Sequence, residues 1–310
     1  MKIVFMGTPD FAVGALDALC KAGHEIVAVV TQPDKPKGRS DKLFFSPVKE
    51  YAVKAGIPVL QPVRIKRPES VAELKNYPAD VFVVAAFGQI LSKEILDMPK
   101  YGCLNIHASL LPKYRGSSPI QWAVINGEEK SGVTIQQMNE GVDTGDILYQ
   151  KEMMLDAKET GESLFDKLAV LGAEAIVETL SLLEQGKLVP VPQDEALATH
   201  TVMLDKAMGR MDFSKSAAEL ERLVRGLNSW PSAYTFFEGK QLKVWEADVV
   251  EDGNADGADG EIVAVGKDSF DVKCAQGSLR IRSLQLEGKK RMSTHDFLLG
   301  NAVKKGMHLG

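Results

Sequence analysis

Two stretches of this chain, EIVAVVT at residues 25–31 and DVFVVAA at 80–86, are apolar almost without interruption. A strand with one face in water alternates apolar and polar residues. A strand that stays apolar along its length needs cover on both faces, which is the situation in a parallel sheet flanked by helices. The flanking segments fit that demand. KIVFMG reads as a first strand, and TPDFAVGALDALCKAG after it as a helix with Thr8 or Asp10 as cap and Gly23 at its end. Helical segments PVKEYAVKAG and PESVAELKN alternate with strand-like IPVL and CLNIH. This βαβ rhythm predicts an α/β fold built on a Rossmann-like, doubly wound and mostly parallel sheet.

Beyond residue 118, SPIQWAVING reads as a helix, GVTIQQM as an alternating strand, and GDILYQKEMML as a strand antiparallel to its neighbour. A long amphipathic helix follows from about Ser163 to Glu184, with Gly186 placed to end it. KLVPVPQDEALATHT then loses all period and reads as a linker. After it, SAAELERLVRGLNSW predicts one helix, and five short alternating segments between Gly, Asn and Asp predict a small C-terminal β-barrel. EDGNADGADG reads as a hairpin loop within it. The expected division is a catalytic domain at 1–189, a linker at 190–204 and a second domain at 205–310, a plausible split for 310 residues.

Composition narrows the function mainly by exclusion. Three widely spaced cysteines without a CxxC pair argue against a disulfide framework and fit a reducing compartment. Five histidines show no HExxH or HxH spacing, so no metal site is expected. MKIVFMGTPDF has too short an apolar run for a signal segment, and no stretch reaches the roughly 20 apolar residues of a membrane span, so a cytoplasmic protein without membrane contact is expected. The net charge of −5 gives no general affinity for nucleic acid; residues 205–310 are neutral, with 16 basic and 16 acidic side chains. No GxGxxG, GxxxxGK[ST] or GxSxG occurs, which weighs against dehydrogenase, kinase and hydrolase chemistry.

The chemistry concentrates in YGCLNIHASLLPKYRGSSP, residues 101–119. Residues two apart on a strand face the same way, so Asn105 and His107 stand side by side at the C-terminal end of a parallel strand, where open α/β sheets bind ligands. An amide can donate to an oxygen gaining negative charge, and an imidazole can donate or move a proton. The same pair also serves as capping groups at a strand end, and the tripeptide alone does not choose. The loop SLLPKYRGSSP adds two exposed-looking leucines, suited to a flat ring ligand or to packing. In MNEGVDTGDIL, Asp143 lies in a Gly-bounded loop between two strands and is the candidate carboxylate to orient His107, whereas Asp146 reads as a turn residue.

In order and spacing, Asn105-x-His107, Ser109-Leu110-Leu111-Pro112, Tyr114-Arg115-Gly116 and Gly141-x-Asp143-x-Gly145-Asp146 resemble the 10-formyltetrahydrofolate-dependent formyltransferases. GTPDFA at 7–12, TQPDKPKGR at 31–39, SPVK at 46–49 and LNSWPSAYT at 227–235 extend the resemblance nearly end to end, toward the branch that acts on initiator methionyl-tRNA. The resemblance implies an OB-like C-terminal barrel and transfer of a formyl group from 10-formyltetrahydrofolate to the α-amino group of methionine on that tRNA, without a metal. It implies catalytic roles for Asn105, His107 and Asp143, and folate contact by Ser109, Leu110, Leu111 and Pro112. It also implies a tRNA-contacting insertion containing Lys37, Arg39 and Lys42. Lys289, Lys290 and Arg291, close to Arg280 and Arg282, form a second basic group suited to a phosphate backbone. No obligate protein partner is evident. Phe213 stands where the family usually has Trp, an expected packing variation. Glycinamide ribonucleotide transformylase, sugar-nucleotide formyltransferases and a formyltetrahydrofolate hydrolase share the catalytic three and remain alternatives. So does a non-catalytic tRNA-binding protein, which would keep its function without His107.

Overall fold

The computed structural model describes residues 1–36, 43–251 and 256–310. Lys37, Arg39 and Lys42, and the centre of the expected hairpin loop at 252–255, lie outside the described residues. Two compact units emerge. Met1–Pro119, Lys130–Met154 and Phe165–Thr201 form the first, and Ile120–Glu129, Leu155–Leu164 and Val202–Gly310 form the second.

The first unit begins with β1 (Lys2–Gly7), α1 (Asp10–Lys21) and β2 (Glu25–Val30). The N-cap position of α1 is held by Pro9, with no side-chain hydrogen bond, so neither Thr8 nor Asp10 caps the helix. Thr8 instead donates to the Phe87 carbonyl at 3.3 Å, and Asp10 is a first-turn acid. A two-residue ribbon, β3 (Lys35–Pro36) with β4 (Leu43–Phe44), precedes α2 (Pro47–Lys54). Ser46 caps α2 through the Lys49 N–H, and Pro47 takes the first turn, where its missing donor costs nothing. Next come β5 (Val59–Leu60), α3 (Pro68–Leu74), β6 (Val81–Ala85), α4 (Lys93–Leu96) and β7 (Cys103–His107). After the short β8 (Arg115–Gly116) the chain forms α5 (Pro119–Ile125), which falls in the second unit from Ile120 on. It returns to the first unit as a hairpin of β9 (Lys130–Gln137) and β10 (Ile147–Met154), followed by α6 (Gly161–Glu184), which belongs to it from Phe165 on.

The main sheet has the order β10-β9-β7-β6-β1-β2-β5. The five strands from β5 to β7 are parallel, and β9 and β10 add an antiparallel edge. Both faces of β6 are buried, which accounts for its unbroken apolar run. Val4, Met6, Phe82, Val84 and Cys103 fill one face beside Leu74 and Ile95 of α3 and α4. On the other face α6 approaches closely at Gly172, where a Cβ would lie only 2.9 Å from an Ile106 methyl. The order changes direction at β1, with β2 and β5 on one side and β6 and β7 on the other. Such a switch leaves room for ligands beyond the strands' C-terminal ends. The unit closes with β11 (His200–Thr201), which pairs parallel to β8.

In the second unit, α7 (Ala217–Gly226) starts with a capping box: Ser216 Oγ accepts from Glu219 N–H, and the Glu219 carboxylate accepts from Ser216 N–H. The five segments expected to be strands are β12 (Ala233–Phe237), β13 (Lys240–Val250), β14 (Ile262–Val265), β15 (Phe270–Lys273) and β16 (Ser278–Leu286). They form an antiparallel sheet in the order β12-β13-β16-β15-β14, with β17 (Met292–Ser293) against β16 and α8 (Thr294–Gly300) following. Their inward residues share one core with α7 and α8, including Leu220, Leu242, Phe270, Ile281 and Phe297. Phe213 belongs to that core at 7% exposure, a packing role as expected. Among the described residues no helix is long and apolar enough to cross a membrane, and no cluster of three or more His, Cys, Asp or Glu is placed to hold a metal ion.

Candidate active site

Strand parity builds the site. Cys103, Asn105 and His107 share one face of β7, while Leu104 and Ile106 pack into the opposite layer. Cys103 is sealed beneath α4, its thiol against the Ile95 and Leu96 carbonyls, and burial pushes that thiol up to about 12. One and two pleats further on, the same face becomes polar. The register of β9 places Gln136 opposite Asn105 and Thr134 opposite His107, and directly opposed residues of antiparallel strands point the same way. Four polar side chains therefore line a half-enclosed wall, with His107 only 6% exposed and Thr134 and Gln136 buried.

Asp143 is the hub of this wall. The loop between β9 and β10 brings its Oδ1 to 3.6 Å from His107 Nδ1 and 3.5 Å from Asn105 Nδ2. The same oxygen accepts from Gln136 Nε2 at 2.8 Å, and Oδ2 accepts from the Gly116 N–H at 2.8 Å. Asp143 itself has φ 53°, a left-handed conformation that an aspartate tolerates better than most residues but that needs support from outside. Close packing supplies part of it. Gly145 lies so near the Gln137 carbonyl that a Cβ there would overlap it.

The fixed partner of His107 is on the other side of the ring. Nε2 stands 2.9 Å from the Tyr114 carbonyl. A carbonyl only accepts, so Nε2 carries a proton and Nδ1, toward Asp143, is the ring atom left to exchange one. Sequence reasoning gave the orienting role to Asp143. In the structure the backbone at Tyr114 holds the ring, and Asp143 faces its other nitrogen, Nδ1, from just beyond hydrogen-bond range.

The loop after β7 is anchored from beneath. Thr134 Oγ1 accepts from Leu111 N–H and donates to the Ser109 carbonyl, Gln150 donates to the Leu111 carbonyl, and Ser109 Oγ donates to the Lys113 carbonyl at 2.6 Å. Leu111 is buried and Leu110 half-buried against Gly132, so the two leucines that look exposed in sequence are largely packing residues. Of the four residues expected to touch folate, Leu110 and Pro112 keep accessible surface, whereas Ser109 and Leu111 face inward.

The segment read as a linker is part of this construction. Residues 191–201 run as a strap, tied to β10 through paired Val191–Ile147 backbone bonds and to β8 through β11. Thr199 accepts from Tyr114 N–H at 2.8 Å through its hydroxyl and from Arg115 N–H through its carbonyl. Arg115, 1% exposed, donates to Gln193 Oε1 and, bidentately, to Glu195. The guanidinium holds the Glu195 carboxyl below the usual carboxylate range. Gln136, Gln193, Thr199 and the Tyr114 carbonyl were all missed from sequence. Only the polar parity of Thr134 and Gln136 within GVTIQQM was a usable signal.

The basic side chains expected on the second unit are exposed at Lys289, Lys290 and Arg291. Arg291 donates to Ser283 and Glu246 and stacks 5.1 Å over the Trp245 ring. Their neighbours are committed within the unit, Arg280 to Asp271 at 2.7 Å and Arg282 to Asp248 at 2.8 Å.

Comparison with known proteins adds the wider context. The family model described as formyl transferase matches residues 1–180, and the one described as formyl transferase, C-terminal domain, matches 203–302. A methionyl-tRNA formyltransferase of Lachnospira eligens is 58% identical over the full length of both chains. One from Agathobacter rectalis is 54% identical, covering 99% of this chain and 98% of its own. Among solved structures, an N-formyltransferase from Helicobacter canadensis, crystallised with folinic acid and dTDP-3-aminofucose, aligns over 91% of this chain and 98% of its own, with TM-score 0.67 at 18% identity, a likeness of fold.

Proposed function

The chain belongs to the formyltransferase family, and from that premise we propose that it transfers the formyl group of 10-formyltetrahydrofolate to the α-amino group of methionine on initiator tRNA. The observation that carries the chemistry is the convergence of Asn105 and His107 on one carboxylate oxygen of Asp143. The acceptor is supported by end-to-end identity with chains named for methionyl-tRNA.

The free amine attacks the formyl carbon, and the carbonyl oxygen takes up the electron pair as a tetrahedral oxyanion. Asn105 Nδ2 donates to that oxygen, and His107 Nδ1, when protonated, donates beside it. Fixed donors aimed at developing charge need no reorganisation as the reaction proceeds. Asp143 accepts a proton from the attacking nitrogen. Collapse of the intermediate breaks the bond to N10 of the folate, and N10 takes that proton by way of the Asp143–His107 pair. Oxyanion stabilisation and positioning carry the barrier reduction in this scheme.

Leu110 and Pro112 offer the accessible part of the folate-contacting loop, with Ser109 and Leu111 setting its shape. The first unit carries the chemistry, within the catalytic domain expected at 1–189. The second grips tRNA through Lys289, Lys290 and Arg291, joined by Lys37, Arg39 and Lys42 of the insertion. Aminoacyl-tRNA as substrate implies the cytoplasm.

Single-turnover transfer assays test the proposal. The wild-type chain is expected to formylate methionyl-tRNA in preference to glycinamide ribonucleotide or a 4-amino-sugar nucleotide. Asn105→Ala should slow transfer by about 100-fold or more, and His107→Ala by roughly 100- to 10,000-fold, with tRNA retention on filters little changed. Transfer to either small acceptor but not to methionyl-tRNA would overturn the acceptor. Full activity in His107→Ala would overturn the chemistry.

A further inference from the structure

We propose that Gln193 is a positioning residue for Asp143, the link through which the strap holds the site's carboxylate in place. The proposal rests on the catalytic reading of Asp143 given above and assigns a role within it to a segment that sequence analysis treats as a tether.

Along 191–197, Gln193 is the one half-buried residue in an otherwise exposed run. Its side-chain amide makes three hydrogen bonds. Oε1 accepts from Arg115 Nε at 3.0 Å, while Nε2 donates to the Asp143 carbonyl at 2.8 Å and to the Gly145 carbonyl at 2.7 Å. The orientation follows from chemistry. A guanidinium only donates and a carbonyl only accepts, so the amide oxygen must face Arg115 and the NH₂ must face the loop. No other uncharged side chain of this length carries one acceptor and two donors at its end.

What Gln193 holds is the backbone that leaves the left-handed turn at Asp143, at the carbonyls of Asp143 itself and of Gly145. The carboxylate is held separately, by Gln136 Nε2 and Gly116 N–H. Those two contacts fix the carboxylate end of the residue, and Gln193 fixes the peptide from which it projects. Arg115 is the far anchor. It is buried, it follows directly after Tyr114, whose carbonyl orients His107, and it precedes Gly116, which binds Asp143 Oδ2. Gln193 thus joins the loop that orients the imidazole to the loop that carries the carboxylate.

The test uses the full-length enzyme, with Gln193→Ala and Gln193→Glu assayed for steady-state formyl transfer from 10-formyltetrahydrofolate to methionyl-tRNA and for thermal unfolding. Glutamate has the same shape. It keeps an oxygen for Arg115 but sets a second oxygen against the Asp143 and Gly145 carbonyls, so it preserves the tie to Arg115 while breaking the tie to Asp143. A displacement of about 1 Å costs on the order of 100-fold in rate, so both variants are expected to lose roughly 30- to 100-fold in kcat. A group that acts in the transition state alone leaves KM for both substrates within about threefold. Gln193→Glu, which loses two hydrogen bonds, should unfold a few degrees below wild type and stay folded at the assay temperature, so that its rate is read per folded molecule.

Wild-type kcat in Gln193→Glu would overturn the proposal, leaving Gln193 as a tether of the strap. So would a loss confined to KM, or a loss in both variants that disappears when activity is expressed per folded molecule. A wild-type chain inactive on methionyl-tRNA would instead reject the function on which the proposal rests, so the two failures are distinct.

Discussion

Two stretches of chain reach Asp143 and its neighbours, and they contribute different kinds of group. The loop at 109–116 is held down by Thr134 and Gln150 and offers backbone atoms to the site, the Tyr114 carbonyl for His107 and the Gly116 N–H for Asp143. The strap at 191–201 is exposed along most of its length and offers side chains, Gln193 to the Asp143 loop and Thr199 to Tyr114. Backbone groups survive substitution as long as the fold around them holds. Side-chain groups vanish with one codon. The buried loop is therefore robust in what it supplies, and the exposed strap is the fragile partner, the reverse of what burial alone suggests.

Arg115 is where the comparison breaks most sharply, because it is the one side chain by which the loop grips Gln193 and Glu195. Arg115→Met keeps the apolar volume and removes the buried charge together with all three bonds. Hydrogen bonds to charged groups are worth about 1.5–3 kcal/mol each, but the Glu195 side chain is 73% exposed and solvent screens its share. A net loss of about 2–3 kcal/mol is expected, visible as an unfolding midpoint lower by several degrees. With both loops released, kcat should fall by roughly 100-fold. A midpoint shift with undiminished kcat would show that the strap stabilises the fold and leaves the geometry of the site alone.

How far each region could be read in advance follows from the same physics. The strand β6 and the buried second half of β2 were legible because cover on both faces leaves little room for polar residues. Asn105 and His107 were legible because a period of two on a known strand fixes their shared face. Asp143 stood out between glycines, but its approach to His107 depends on a left-handed turn and on the hairpin register, neither of which has a local signature. Gln136 was hidden for the same reason, since only the pairing of β9 with β7 puts it opposite Asn105. At α1, Pro9 occupies the N-cap position in place of Thr8 or Asp10. The strap was least legible. A segment with a proline at 192 and no period looks the same whether it floats or is bolted down, and its partners lie far off in sequence, from Ile147 for Val191 to Arg115 for Thr201.

Thr199 sharpens the comparison from the strap's side. Its hydroxyl accepts from Tyr114 N–H, and Tyr114 has φ 62°, so one bond steadies the strained residue whose carbonyl orients His107. Thr199→Val keeps the shape and the backbone bonds to Pro112 and Arg115, removing that single acceptor. A loss of about 1 kcal/mol is expected, together with a several-fold fall in kcat measured at saturating substrate. Thr199→Ser, which restores the hydroxyl, should recover most of the rate. Failure of serine to rescue would assign the effect to packing of the methyl group rather than to the bond.

Glu195 gives the smallest effect and a sign that can be checked. Its carboxyl is held below the ordinary value because Arg115 donates two bonds to the charged form. A group with a lowered folded value stabilises the fold at pH above its unfolded value, about 4.3 for glutamate, and that contribution is lost as pH falls through the folded value. Glu195→Gln should therefore lower the unfolding midpoint slightly at neutral pH, and the gap to wild type should close as the pH drops below the ordinary carboxylate range. Because the Glu195 end of the pair is exposed, added salt should narrow the gap at neutral pH as well. If the gap instead widened in acid, the Arg115–Glu195 pair would be a desolvated liability that the strap tolerates, and the strap's share of the hold on Asp143 would rest on Gln193 alone.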